Sequence, residues 1–157
     1  MNRISHLVCA MLLLMAIAAC GPESPENAGL GAQGDIAAAN KGPDTRTLDE
    51  RLASGERIYR VHCAACHQAS GQGLTGAFPP LAQSDYLEQG PAAVIRVVLQ
   101  GMRGPVTVNG VDYDGVMPNL SYLGDSEVAD VLTYVLNSWG NTHGVIEASE
   151  VAANRED

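Results

Sequence analysis

The chain has 157 residues, room for one modest domain. It carries 9 Lys and Arg against 18 Asp and Glu, a formal charge of −9, which argues against nucleic acid as a partner because neutralising phosphates needs a basic surface. Its aromatics are five Tyr, one Trp and one Phe, few for a domain that must fill its own core. A bound apolar cofactor would supply the missing bulk, although a core rich in Val, Leu and Ala could manage without one.

The first elements precede the domain. Residues 1–19 join a polar head, "MNRISH" with Arg3, to the apolar run "LVCAMLLLMAIAA". That run is short for a membrane span and fits the core of a secretory signal. It closes on "IAAC", Ile17 to Cys20, which resembles the lipobox of bacterial lipoproteins, where the cysteine is lipidated and becomes the new N-terminus. A plain secretory signal cut near Ala19 is the alternative. Gly21, not Asp, follows Cys20, so the usual inner-membrane retention signal is absent and an outer-membrane address on the periplasmic side is favoured. Residues 20–45 are rich in Gly, Pro, Ala, Asn and acids without an apolar period, the composition of a flexible lipid-anchored tether.

The domain is expected over residues 46–141. Thr47 and Glu50 have capping-box spacing, and Leu48, Leu52, Gly55 and Tyr59 fall on one face of a helix running up to Cys63. There the chain reads "HCAACHQ". A structural zinc would need four ligands, yet His62 and His143 are the only other domain histidines and form no second pair with Cys63, Cys66 and His67. A thioredoxin-type dithiol would sit where a strand enters a helix, not at a helix end. A simple disulfide is possible outside the cytoplasm but leaves His67 without a purpose. Covalent haem attachment uses all three residues: the two thiols add to the haem vinyl groups, and the adjacent histidine reaches the iron.

Residues 68–89 read as loop, with "FPP" ruling out regular helix. A second helix follows in "GPAAVIRVVLQG", with Pro91 at its first position, a stripe of Val94, Ile95, Val98 and Leu99, and Gly101 as its stop. "VTVNGVDY" reads as a short hairpin turning at Asn109–Gly110. The domain has two methionines, Met102 and Met117. Met117 precedes Pro118 in a loop, where the proline keeps it out of helical conformation, so Met117 is the expected sixth ligand of the iron. Met102 is read as core packing and His143 as the fallback ligand. A third helix begins at Gly124 or Asp125, carries Val128, Val131, Leu132, Val135, Leu136 and Trp139 at helical spacing, and ends at Gly140. Residues 142–157 are acidic and expected to be a disordered tail, although "IEASEVAAN" could form a turn or two of helix.

"GERIYRVHCAACH", "FPPLA", "VNGVDYDGVMPNL" and "VADVLTYVLNSWGN" together resemble a class I, mono-haem, His/Met cytochrome c. The hairpin and the "NSWGN" ending are similar to cytochrome domains of copper nitrite reductases and to cytochrome subunits of membrane-bound alcohol and aldehyde dehydrogenases. The resemblance implies an all-α fold, a small cytochrome c fold with three main helices and long loops wrapping one covalently attached haem c, and a short hairpin before the Met ligand. It implies that the first and last helices cross near a right angle, with Gly55 and Tyr59 against Leu132 and Tyr134. It also implies that a proline carbonyl, Pro79 before Pro80, accepts the Nδ1–H of His67, and that Tyr113 and Arg103 neighbour the haem propionates.

The function expected is that of an electron carrier facing the periplasm, with no small-molecule substrate and no catalysis of its own. Its partner would be a redox protein, a nitrite reductase or a dehydrogenase among them. The acidic surface would steer encounters with a basic patch on that partner, an effect that weakens with salt. The competing readings are a haem enzyme or gas sensor with a displaceable sixth ligand, and a haem-free lipoprotein with a Cys63–Cys66 disulfide.

Overall fold

The computed structural model describes residues 44–155. The signal segment, Cys20 and the tether up to residue 43 lie outside the described residues.

Helix α1 (Leu48–His62) starts from a complete capping box. The Glu50 N–H donates to Thr47 Oγ1 at 3.2 Å, and the Thr47 N–H donates to Glu50 Oε2 at 2.7 Å. The face it buries keeps Gly55 and Tyr59 of the expected stripe but takes in Arg51 and leaves Leu48 out. Arg51, Gly55 and Tyr59 are buried, Leu52 is half-buried, and Leu48 is exposed. Two contacts with helix α4 (Asp125–Leu136) set that rotation. Gly55 meets the α4 backbone so closely that a Cβ would stand 2.1 Å from the Asp130 carbonyl oxygen. Arg51 is drawn inward by an ion cluster. Its Nε lies 3.3 Å from Asp130 Oδ1, while Arg46 forks onto Asp130 at 2.5 and 2.8 Å and onto Asp44 at 2.6 and 3.0 Å. Asp44 is thus held by the domain, two residues ahead of the expected boundary.

One turn, α2 (Ala64–His67), follows at once, with Cys63 standing between it and α1. After a long loop and a 3-10 turn (Asp85–Gln89) comes α3 (Pro91–Gln100), with Val94, Ile95, Val98 and Leu99 buried. Four short strands follow: β1 (Met102–Arg103), β2 (Val106–Val108), β3 (Val111–Tyr113) and β4 (Val116–Met117). β2 and β3 form an antiparallel hairpin around Asn109 and Gly110, both at positive φ (50° and 75°), as a tight hairpin turn requires. β1 and β4 form a second antiparallel pair, which aligns Met102 with Met117. Gly101 makes that pairing possible, since a Cβ there would lie 2.5 Å from the Met117 carbonyl oxygen.

Helix α4 buries Val128, Val131, Leu132, Val135 and Leu136, but stops at Leu136, ahead of Trp139 and Gly140. Asn137 caps it, its side-chain amide donating to the carbonyls of Thr133 and Gly144 at 2.8 and 2.7 Å. Trp139 then takes a left-handed φ of 53° and packs on Tyr59 and Tyr134, with ring centroids 5.0 and 5.3 Å away. Tyr134 also meets Tyr59 at 5.5 Å, so it sits at the helix crossing as the resemblance implied. Leu132, its expected companion there, lines a cleft instead.

The expectation of a disordered tail from residue 142 is corrected. Ile146 and Val151 are wholly buried, and residues 148–153 form α5 (Ala148–Ala153), packed on α3 and α4. The helical turn foreseen as the alternative in "IEASEVAAN" is present, and Ile146 and Val151, five positions apart, each find a slot here. Arg51 donates to the Ile146 carbonyl and, at 3.1 Å, to Glu147. Arg155 pairs with Asp125 at 2.5 Å, so the domain runs on past residue 141 to the end of the described chain.

Candidate functional site

The elements enclose one large apolar cleft. Its walls are the end of α1 and α2 (His62, Cys63, Cys66, His67), the proline loop (Ala77 to Leu81), the inner face of α3 (Val94, Val97, Val98), strands β1 to β4 with Met102, Tyr113 and Met117, and the face of α4 carrying Val131, Leu132 and Val135. Among the described residues, no Asp, Glu, Lys or Arg lines it. The stripes of α3 and α4 were legible as apolar faces, and part of what they face is this cleft.

His67 is 8 % exposed, and its Nδ1 lies 2.9 Å from the Pro79 carbonyl oxygen. A carbonyl only accepts, so Nδ1 is the donor and carries the proton, which leaves the Nε2 lone pair free. Burial pushes the imidazole pKa below its usual value, and the Pro79 hydrogen bond opposes that only in part. The ring is therefore neutral near pH 7, as a metal ligand must be. Pro79 is brought to this place by Gly73. That residue has φ +62°, and a Cβ on it would stand 2.3 Å from the Phe78 carbonyl oxygen and 2.6 Å from that of Pro79. The Gly73 N–H donates back to the His67 carbonyl at 3.0 Å, closing the loop on the histidine. Pro80 lines the cleft, with its carbonyl elsewhere than on His67.

Cys63 and Cys66 are half-buried, both line the cleft, and they are not joined to each other. Burial pushes the Cys63 thiol up to about 11. The disulfide reading therefore has no bridge here. The zinc reading has no ligand set, because among the described residues no three His, Cys, Asp or Glu side chains gather as a metal ion would need. Two free thiols, a neutral buried imidazole with an open Nε2, thioethers and apolar walls are a donor set that fits a covalently attached haem.

Met117 and Met102 both line the cleft, and only Met117 also packs against the apolar core. Tyr113, 4 % exposed, lines it too. Arg103 does not: it is exposed and takes no part in the cleft wall. His143 is exposed and stands outside the cleft.

Several contributors were not visible from the sequence. His62 lines the cleft, with its Nδ1 3.1 Å from the hydroxyl of the exposed Tyr122. Tyr86 and the buried Ser84 line it as well. Asn141 is 5 % exposed and pins the proline loop to α4: it accepts from the Gln83 N–H at 2.8 Å and donates to the Leu81 and Val135 carbonyls at 2.9 and 2.8 Å. Its position directly after "SWG" is the one hint the sequence offered. Trp139 covers Gly71, where a Cβ would come 2.5 Å from the indole, and so fixes the segment that follows His67.

A family model described as "Cytochrome c" matches residues 52–139. Cytochrome c-552 of Thermus thermophilus is 43% identical over 97 residues, which cover 59% of this chain and 73% of that protein. The gluconate 2-dehydrogenase cytochrome c subunit of Pantoea cypripedii is 34% identical over 121 residues, 74% of this chain and 26% of that subunit. The cytochrome c subunit of the quinone alcohol dehydrogenase of Gluconobacter oxydans is 34% identical over 101 residues, 62% of this chain and 21% of that subunit. The matched segment thus spans about a quarter of the length of those dehydrogenase subunits.

Proposed function

Because this chain belongs to the cytochrome c family, we propose that it is a lipid-anchored electron carrier on the periplasmic side of a bacterial membrane, with His67 and Met117 as the axial ligands of its iron. Its cofactor is one covalently attached haem c, which when bound supplies a one-electron iron couple. The chain's own residues do the rest. Cys63 and Cys66 provide the thioether links. His67 offers Nε2 to the iron while the Pro79 carbonyl fixes its tautomer and orientation. Met117, held by the core on one side and Pro118 on the other, offers a soft sulfur that favours the reduced iron. The apolar faces of α3 and α4 exclude water. With His67 and Met117 both holding the iron, no site would be left for a substrate, and the chain would pass electrons rather than perform a reaction.

The observation that carries this reading is the 2.9 Å hydrogen bond from His67 to Pro79, which leaves Nε2 as the open donor in a cleft lined by both thiols and Met117. The partner we propose is a membrane-associated oxidoreductase, in keeping with the dehydrogenase subunits the chain is similar to. Contact would form at the rim of the cleft, where Val116 (57 % exposed) and Tyr122 (68 % exposed) stand. The acidic residues act from farther off, since none lines the cleft.

Haem staining after denaturing electrophoresis tests the attachment, and loading that persists in a Cys63→Ala, Cys66→Ala double variant would refute it. The ferric protein should show a thioether–iron band in the red and resist azide. Met117→Ala should weaken that band and admit azide, while Met102→Ala leaves it intact. A parent that lacks the band and binds azide and carbon monoxide freely would be the sensor or enzyme instead. Mass spectrometry of the membrane fraction should find Cys20 lipidated, and an unmodified Cys20 would leave a soluble carrier.

A further inference from the structure

Met102 and Met117 are partners across the antiparallel β1–β4 pair. Residues directly opposite each other in such a pair project to the same face, with Cβ atoms ~4.5–5.5 Å apart. Both residues line the cleft, as does Val116 beside Met117 on β4. The spacing between them is firmly set. Gly101 lets β1 approach until a Cβ would be 2.5 Å from the Met117 carbonyl oxygen, and the Leu120 N–H donates to the Val98 carbonyl at 2.8 Å. Two thioethers carried this close on one face can each present sulfur to a common point, though not both at once.

They are held differently. Met117 packs against the core and precedes Pro118, while Met102 is half-buried and lies outside that core contact. An unbranched methionine with three rotatable bonds adapts readily to a vacated space. The other cleft-lining groups match poorly. His62, with its Nδ1 on the Tyr122 hydroxyl, offers nitrogen rather than sulfur and stands at the end of α1 beside Cys63, and Ser84, Tyr86 and Tyr113 offer only hydroxyls. Among the described residues lining the cleft, Met102 alone repeats the donor chemistry of Met117.

We propose that Met102 is a reserve axial ligand, which takes the sixth position on the iron whenever the Met117 sulfur leaves it. The proposal rests on the His67/Met117 reading. It gives Met102 a role beyond the packing that the sequence assigned to it, and makes the carrier resistant to becoming open-sited.

The test compares Met117→Ala, Met102→Leu and the double variant as haem-loaded proteins, each checked for fold by far-ultraviolet circular dichroism. Ferric absorption in the red and azide titration are the readouts. Met117→Ala should keep a weakened thioether–iron band, which the double variant loses. If Met102 occupies the iron about nine-tenths of the time in Met117→Ala, azide should bind the double variant about tenfold more tightly. Met117→Leu conserves volume and replaces the alanine variant should that fail to fold. Equal azide affinity and equal absence of the band in Met117→Ala and the double variant would overturn the proposal. A full band in Met117→Ala that Met102→Leu alone abolishes would instead overturn the underlying reading, making Met102 the resident ligand and ending its role as a reserve. A band that survives in the double variant would refute both.

Discussion

Gly73 offers a sharp test of how the histidine is held. It has φ +62°, and a Cβ there would overlap the Phe78 and Pro79 carbonyl oxygens at 2.3 and 2.6 Å. Gly76, in the same loop, has φ +78° with nothing near its virtual Cβ. Alanine at either position meets the left-handed backbone cost, ~1–2 kcal/mol, offset by ~0.4–1 kcal/mol from the stiffer unfolded chain. Those two effects cancel in the difference between the variants. Gly73→Ala alone must also push two carbonyls aside, an overpacking cost of ~1–3 kcal/mol. Guanidinium unfolding of the ferric holoproteins should therefore place Gly73→Ala below Gly76→Ala by that margin. The displaced carbonyl is the one that accepts from His67, so a second readout follows. A weaker hydrogen bond makes the imidazole a poorer donor, ferric iron loses more than ferrous, and the reduction potential of Gly73→Ala should rise while that of Gly76→Ala stays at the parental value. Equal stabilities together with unchanged potentials would show that Gly73 does not position Pro79.

Ile146→Ala should cost ~2–5 kcal/mol, because the side chain is wholly buried, and should speed amide exchange across α5; parental stability would mean the tail does not dock in solution. Acid should also find the ion cluster. The Arg46 guanidinium, hydrogen-bonded to Asp44, holds that carboxyl at about 2 against an ordinary 3.8. A depressed carboxylate contributes in full above its unfolded pKa and loses that contribution as pH falls through its folded one. The stability gap between the parent and Asp44→Asn should therefore be constant at neutral pH and shrink between about pH 4 and 2. A melting-temperature series across pH reads it, and a gap that stays constant down to pH 2 would contradict the pairing.

What the sequence disclosed was local. The capping box of Thr47 and Glu50, the Asn109–Gly110 turn, the proline start and glycine stop of α3, and the Cys-x-x-Cys-His run all concern residues within a few positions of each other. Their geometry is set by short-range sterics and hydrogen bonding, which residue type reports directly. What stayed hidden was long-range. Arg51 and Asp130 are 79 residues apart, and nothing in "DERLAS" marks Arg51 as buried. Leu48 fits a helical stripe as well as Arg51 does, until Asp130 decides which face turns inward. Trp139 continues the period of α4, yet the helix ends at Leu136, because Gly71 and Tyr59 offer the indole a better place outside it. The β1–β4 pair escaped for another reason: two-residue strands are too short to show any period.

The scarcity of aromatics takes on a definite meaning once each is located. Tyr59, Tyr134 and Trp139 gather at the crossing of α1 and α4, with centroids 5.0 to 5.5 Å apart. Phe78, Tyr86 and Tyr113 line the cleft, and Tyr122 stands at its rim on His62. Helix α4 divides the two regions along its own length. Asp130, Thr133 and Tyr134 serve the side of α1 and α5, where ion pairs and aromatic packing close the core with protein atoms alone. Val131, Leu132 and Val135, interleaved with them, face the cleft. This wall of the cleft is therefore the reverse side of a helix whose other face is held by protein contacts alone. A site that must change oxidation state with little rearrangement gains from such a frame, because His67, Pro79 and Met117 are each held by contacts that do not involve the iron: Gly73 and Asn141 behind the proline loop, Trp139 over Gly71, and Gly101 under β4. The bulk that the aromatics leave unfilled is then the volume of the cofactor itself.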